Sequence, residues 1–322
     1  MMNGPRLMIN KDRLQINKIM QITESLFSCI LTADIGGSHI TTGIYNINAQ
    51  TIMETSVIRA KVESKGSADD ILGSWGSAFK EVLKDTGVSV TGLSVAMPGP
   101  FDYEKGISYI KGLDKYETLY GVSIRESLAG LLKLDPQMIR FRNDAESTVA
   151  GEVSIGAGKE YDKVMGVTLG TGFGSAYSEN KITKDINLGS EPYKDTIADD
   201  YLSTRWFFKR HYELTGVALI GGVKELSTLA AKSEVARDIF EEFAINMADF
   251  LKKPVKQFDP EVLIICGNIA GASEYFLPQL TKALHPLAIK LAQLGENAPL
   301  IGAAAMFEHI DNQAPFNSVN QL

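Results

Sequence analysis

Two stretches of this chain share one pattern: strand, glycine-rich turn, strand. Residues 31–46 read LTADIGGSHITTGIYN, and residues 167–177 read VTLGTGFGSAY. A Walker loop or a dinucleotide fingerprint instead runs from a strand into a helix, whose N-terminus holds the phosphate. Here β-type sequence resumes straight after the glycines, so helix dipoles are not the main source of positive potential. A β-hairpin can still cradle an anion. Glycines permit φ > 0 and let backbone N–H groups come close to it. Ser38, Thr168 and Thr171 add hydroxyl donors. Asp34 would repel bare phosphate. It fits if Mg²⁺ lies between, because that ion takes one or two carboxylates with phosphate oxygens and keeps several waters. One such turn would read as an ordinary tight hairpin; two, in different halves of the chain, point to phosphate binding.

Around these turns, strands alternate with helices. Residues 1–25 read as an N-terminal arm, with Ile16, Ile19 and Met20 on one helical face expected to pack on the body or on a partner subunit. Strands are expected over 26–33, 40–47 and 52–60, then a helix carrying Ile71, Leu72, Trp75, Phe79 and Leu83 on one side. TGLSVAMPGP reads as a strand and turn, IRESLAGLLKL as a helix, QMIRFRND as a strand and AESTVAGEVSIGAG as a helix. KVMGVTLG and FGSAYSENKI form a second strand pair. Helix is expected over 233–258, strand at EVLIICGN, helix over 276–294 apart from a break at Pro286, and a last small-residue helix at APLIGAAAMFEHI. The alternation implies a mixed α/β fold with helices covering the sheets, and the best boundary is near Arg142–Asn143.

The chain has 322 residues, 44% apolar and 22% charged, which suits a globular protein with a sizeable core. Its net charge of -7 disfavours non-specific nucleic-acid binding and leaves small molecules or proteins as partners. No apolar run reaches the length of a membrane span. Cys29 and Cys266 sit in apolar runs, so buried, reduced thiols and a cytoplasmic location are expected.

RNDAES follows a strand and opens a helix. Ligands of α/β proteins gather beyond strand C-termini. Asp144 there can accept a proton from a substrate hydroxyl, with Asn143 beside it as donor and acceptor. Both residue types are equally preferred helix N-caps. Pro98-Gly99-Pro100 makes a rigid turn after another strand, either a ligand contact or a plain loop. Gly267-Asn268 follows a strand end too, either packing on an adenosine or only joining two elements.

Taken in order, Asp34-Ile-Gly-Gly-Ser38, Pro98-Gly99-Pro100, Asn143-Asp144, Leu169-Gly-Thr-Gly172, Gly267-Asn268 and Ile301-Gly-Ala-Ala304 resemble the ROK family of sugar kinases and sugar-responsive repressors. The resemblance covers about residues 31–307. It implies an actin-like ATPase fold, with two ribonuclease-H-like domains facing a cleft: a small domain over 26–142, a large one over 143–302, and a C-terminal helix over about 303–322 packing back on the small domain. Asp34, Gly36, Gly37 and Ser38 match the first phosphate segment, with Asp34 reaching Mg²⁺ through water. Thr168, Gly170, Thr171 and Gly172 match the second, and Gly267 and Asn268 lie on the nucleotide side. Asp144 matches the catalytic base, and Pro98, Gly99, Asn143, Glu191 and Asp199 the sugar side.

The activity this implies is a glucokinase-like hexose kinase using ATP and Mg²⁺, in a cytoplasmic homodimer with no nucleic-acid or membrane partner. The chain departs from the family in two ways. Many members carry a zinc module and a histidine three residues after the matched glutamate. Here no cysteine lies near Glu191 and that histidine is Lys194, so no zinc is expected. Lys194 can donate to a sugar hydroxyl but cannot accept from one. Two alternatives remain: a non-catalytic sugar-binding regulator on the same fold, and polyphosphate as donor.

Overall fold

The computed structural model describes residues 29–308. The expected arm over 1–25, the first residues of the strand from 26 and the C-terminal helix beyond 308 lie outside the described residues. Contacts divide the chain into two compact units, one running to Phe141 and resuming at Met306, the other Arg142–Ala305.

In the first unit, β1 (Cys29–Ile35) pairs antiparallel with β2 (His39–Asn46), Ile35 facing Ile40. The strand expected over 52–60 is two pieces, β3 (Thr51–Ile52) and β4 (Ile58–Lys61), both paired to β2. A 3-10 turn at Glu54–Ser56 separates them, because the Ser56 hydroxyl takes the Ile44 N–H at 2.8 Å in place of a strand neighbour. α1 (Ala68–Thr86) starts at a Ser67/Asp70 capping box and stops at Gly87 with φ 62°. Its buried face is Ile71, Leu72, Trp75, Phe79 and Val82, each side chain stabilising by about 1.5–3 kcal/mol. β5 (Gly92–Met97) runs parallel to β1 and is buried at every position, as a strand covered on both faces must be. The hairpin β6 (Phe101–Asp102) and β7 (Ile107–Ser108), helix α2 (Ile124–Leu132) and β8 (Ile139–Asn143) follow, giving the order β3-β2-β1-β5-β8.

The second unit opens with α3 (Asp144–Ser154) and repeats the topology. β9 (Lys163–Leu169) pairs antiparallel with β10 (Phe173–Glu179) and parallel with a later strand, as β1 does. FGSAYSENKI is not one strand. Asn180 and Lys181, at φ 52° and 66°, make a tight turn into β11 (Ile182–Asp185), the mirror-image geometry that suits strand twist. A short hairpin β12 (Pro192–Tyr193) and β13 (Thr196–Ile197) leads to α4 (Asp199–Leu202), α5 (Thr204–Thr215), α6 (Gly222–Ala230) and α7 (Glu234–Phe258). Then come β14 (Val262–Cys266), α8 (Leu277–Leu284), β15 (Ala288–Leu291) and α9 (Ala298–Ala304). The helix expected after Pro286 is β15 instead. It adds a parallel edge to β14, with Ala288 facing Val262, completing the order β11-β10-β9-β14-β15. Phe207, Phe240, Phe243 and Phe276 fill the core between sheet and helices. Both cysteines are buried and unpaired, and burial pushes the Cys266 thiol up.

Glu152 on α3 is fully buried. Its carboxylate accepts the Ala157 N–H at 2.8 Å and the Gln293 and Leu294 N–H groups at 2.9 and 2.8 Å. One acidic side chain thus ties the segment after α3 to the segment before α9. Glu152→Gln turns an amide NH₂ toward backbone donors, and denaturant titration should show a loss of about 2–4 kcal/mol. Unchanged stability would mean the three donors re-pair with water.

Candidate functional site

The first glycine turn closes with a hydrogen bond from Gly36 N–H to His39 O at 2.9 Å, leaving Gly37 and Ser38 exposed at its tip. The Ser38 hydroxyl shares a 2.9 Å hydrogen bond with His39 Nδ1. The buried Tyr116, remote in sequence, donates its hydroxyl to Gly36 O and packs edge-on against Trp75. Asp34 is half-buried one step before the turn and faces Thr41 across the hairpin. Burial chiefly, and the Asp34 charge in addition, raise the Tyr116 hydroxyl pKa. β5 ends beside β1, Ala96 pairing with Asp34, so Pro98 and Gly99 leave the sheet at the edge where the turn lies. The Tyr103 hydroxyl donates to Met97 O at 3.1 Å and steadies that exit.

The second turn spans Gly170, Thr171 and Gly172 between Leu169 and Phe173, which face each other. Gly170 N–H donates to Gly172 O at 3.0 Å. Gly170 O accepts both the N–H and the hydroxyl of Thr204, at 2.8 and 2.7 Å. Asp199 takes the Phe173 N–H and pairs with Arg205. β14 ends alongside, Cys266 facing Thr168, and places Gly267 and Asn268 at the same sheet edge, both exposed. Gly267 has φ 87°, and a β-carbon there would lie 2.4 Å from Leu169 O, so glycine is required on both counts.

The expected left-handed glycines are absent from the turns themselves: Gly36, Gly37, Gly170 and Gly172 all lie outside the positive-φ set. Their use is space. A β-carbon on Gly170 meets nothing within 4 Å, and one on Gly37 meets only Lys115 Cδ at 3.4 Å. The chain's own packing does not demand glycine at 37 or 170, and the backbone at both positions is open.

Asn143 is the N-cap of α3, its side-chain oxygen accepting the Ala145 and Glu146 N–H groups at 2.9 and 3.1 Å. Asp144 is the first helical residue, and its Oδ1 also accepts the Ala145 N–H at 2.8 Å. The segment is pinned on both sides. The mostly buried Arg142 donates to Gly302 O and pairs with Glu146, each at 2.9 Å. Burial lowers the Arg142 pKa and raises that of Glu146, and the pair opposes both shifts. A β-carbon on Gly174 would lie 2.4 Å from Thr168 Oγ1 and 2.5 Å from Ala145 Cβ. Glycine at 174 therefore sets the start of α3 directly against the strand end that feeds the second turn.

Glu191 is exposed and lines a cavity of about 420 Å³ with Tyr193, Asp249 and Phe250. Its carbonyl accepts the Ala198 N–H at 2.9 Å, which ties it to the Asp199 helix. The Lys194 ammonium donates to Asn246 Oδ1 at 2.6 Å and sits 4.8 Å from the Tyr201 ring centre. The side chains of Lys194 and Asp199 are thus held by protein groups. Tyr116, Thr204 and Arg205 carry no motif or spacing that marks them in sequence.

The first turn offers a cation one carboxylate, Asp34. No group of three His, Cys, Asp or Glu capable of holding a metal exists among the described residues. A site of this kind would bind Mg²⁺ only together with phosphate. No described helix is long and apolar enough to cross a membrane.

The sequence profile of the ROK family matches residues 30–184 and 217–310. The chain is 22% identical over 320 residues to a glucokinase of Thermotoga maritima, covering 87% of this chain and 97% of the relative. It is 24% identical over 316 residues to an N-acetyl-D-glucosamine kinase of Haemophilus influenzae, covering 85% and 97%. A ROK hexokinase structure from Thermus thermophilus superposes with TM-score 0.74 at 19% identity, over 88% of this chain and all of that one. That likeness shows the fold, the actin-like ATPase fold, whose repeated sheet topology appears in both units.

Proposed function

This chain belongs to the ROK family, and we propose that it is an ATP-dependent sugar kinase, transferring the γ-phosphoryl group to a hexose hydroxyl, glucokinase-like at O6. One observation supports this above the others. Within the second unit, the helix start bearing Asp144 abuts the strand end that leads into the open Gly170–Gly172 turn. A base and a phosphate cradle as neighbours are what this chemistry requires.

In this reading Asp144 accepts the proton of the attacking hydroxyl, a contribution of about 10²–10⁴-fold. Asn143, its oxygen turned to the helix, orients the segment, and Pro98, Gly99, Glu191, Lys194 and Asp199 border the sugar. Gly36, Gly37, Ser38, Thr168, Gly170, Thr171 and Gly172 hold the phosphates through backbone and hydroxyl donors. Gly267 and Asn268 border the nucleoside. Mg²⁺, when bound with ATP near Asp34, offsets charge on the transferring group.

The direct test is ADP formation with ATP and Mg²⁺ across glucose, N-acetylglucosamine, mannose and β-glucosides. Sugar-dependent ADP from at least one supports the kinase. Sugar binding with no ADP from any would make the protein a sugar-binding regulator instead.

Gly37→Val separates the two halves of the site. Its β-carbon meets only the flexible Lys115 stem, at an exposed tip, so the fold should tolerate it. It fills the space assigned to phosphate. Calorimetry should show ATP bound at least about tenfold more weakly, roughly 1.4 kcal/mol, with hexose affinity unchanged. Unaltered ATP affinity would remove the first turn from the nucleotide site.

A further inference from the structure

We propose that Lys115 is a phosphate-binding residue of the first glycine turn, its ammonium meeting an anion seated on the Gly37 backbone. The proposal rests on the phosphate reading of that turn.

Position is the first observation. A β-carbon on Gly37 would lie 3.4 Å from Lys115 Cδ, so the lysine stem runs along the exposed tip of the turn. Nζ is two bonds beyond Cδ, within reach of a group bound at the tip. Charge is the second. Lys115 makes no ion pair among the described residues, whereas Lys65 beside it is paired with Asp114. Glu117, the other nearby acid, accepts the Asp114 N–H at 3.1 Å. The turn has no helix N-terminus to supply positive potential, and Asp34 adds a negative charge. An unpaired lysine is the compensation an anion site there would need, and lysine serves phosphate as a point charge.

Backbone conformation is the third. Asp114 and Tyr116, which flank Lys115, have φ 56° and 55°, left-handed values that are costly for non-glycine residues. Tyr116 is held there by its N–H to Ser64 O at 2.7 Å, its hydroxyl to Gly36 O and its ring against Trp75. The strained pair places Lys115, and strain held in place by surrounding contacts is characteristic of binding sites. Tyr116 is a positioning residue in this arrangement.

Lys115→Met keeps the stem and removes the charge. Calorimetry on the full chain would use ATP with Mg²⁺, inorganic tripolyphosphate, adenosine and the preferred hexose. The variant should bind ATP and tripolyphosphate about 10–100-fold more weakly, with adenosine and hexose unchanged, and Lys115→Arg should recover most of the loss. Wild-type ATP affinity in Lys115→Met overturns the assignment of Lys115 and leaves the kinase reading standing. A uniform loss for all four probes also overturns it, by showing a merely structural role. A wild-type protein that binds neither ATP nor tripolyphosphate sinks both readings.

Discussion

Asp144→Asn should cut turnover by about 10²–10⁴-fold while leaving hexose affinity close to wild type. An amide has nearly the same shape as the carboxylate and can still hydrogen-bond a sugar hydroxyl, but it cannot take the proton. Ordinarily a helix-start aspartate confounds such a test, because its replacement also weakens the helix. Here the cap is Asn143, whose oxygen holds the Ala145 and Glu146 N–H groups. Arg142 independently anchors the segment to Gly302 O and Glu146. The stability change should comprise the lost charge at the helix N-terminus, about 0.3–1 kcal/mol, together with a weaker Ala145 N–H bond to residue 144. Sugar-dependent ADP release, read beside hexose calorimetry and a melting curve, separates the effects. Turnover within about tenfold of wild type would remove Asp144 from the base role.

Gly302→Ala should destabilise the second unit by at least about 3 kcal/mol. A β-carbon at 302 would lie 1.7 Å from Ser147 O and 2.6 Å from Gly151 N. The partner glycine is equally constrained, with Ala298 O 2.2 Å from a β-carbon at 151. α3 and α9 therefore meet backbone to backbone, and no side-chain rotation relieves the clash. The Ser147 hydroxyl donates to Pro299 O at 2.8 Å across the same contact. Separating the helices would also move the start of α3 and with it Asp144. A matched control has the opposite sign. Gly130 lies within α2, and a β-carbon there meets nothing within 4 Å, so Gly130→Ala should stabilise by about 0.5–1 kcal/mol. Urea titration of both variants is the measurement; equal midpoints would show that α9 can move away at little cost.

The two glycine turns were more legible in sequence than the surroundings of Glu191, Lys194 and Asp199. Glycine turns in β-type sequence are local signals, and β1–β2 and β9–β10 form the expected hairpins. The segment 185–216, between the matched family spans, contains Glu191, Lys194 and Asp199. Their environment depends on distant partners: Lys194 on Asn246 of α7, Asp199 on the Phe173 N–H and Arg205. No spacing rule reveals such pairings. The misread strand over 288–291 has the same origin. Four residues carry too little periodicity to tell strand from helix, and the exposed edge of β14 decided it.

By itself the sequence determined the alternating α/β order, the two hairpin turns, the cap-rich helix start at Asn143 and the net negative charge. Each follows from neighbours in the chain or from summed charge. Tertiary structure alone decided that Gly174 seats α3 against the second turn, that Gly151 and Gly302 let two helices touch, and that Tyr116 brings Lys115 onto the first turn from 80 residues away. These are steric and hydrogen-bonded contacts between segments far apart in sequence, and they exist only once both sheets have formed.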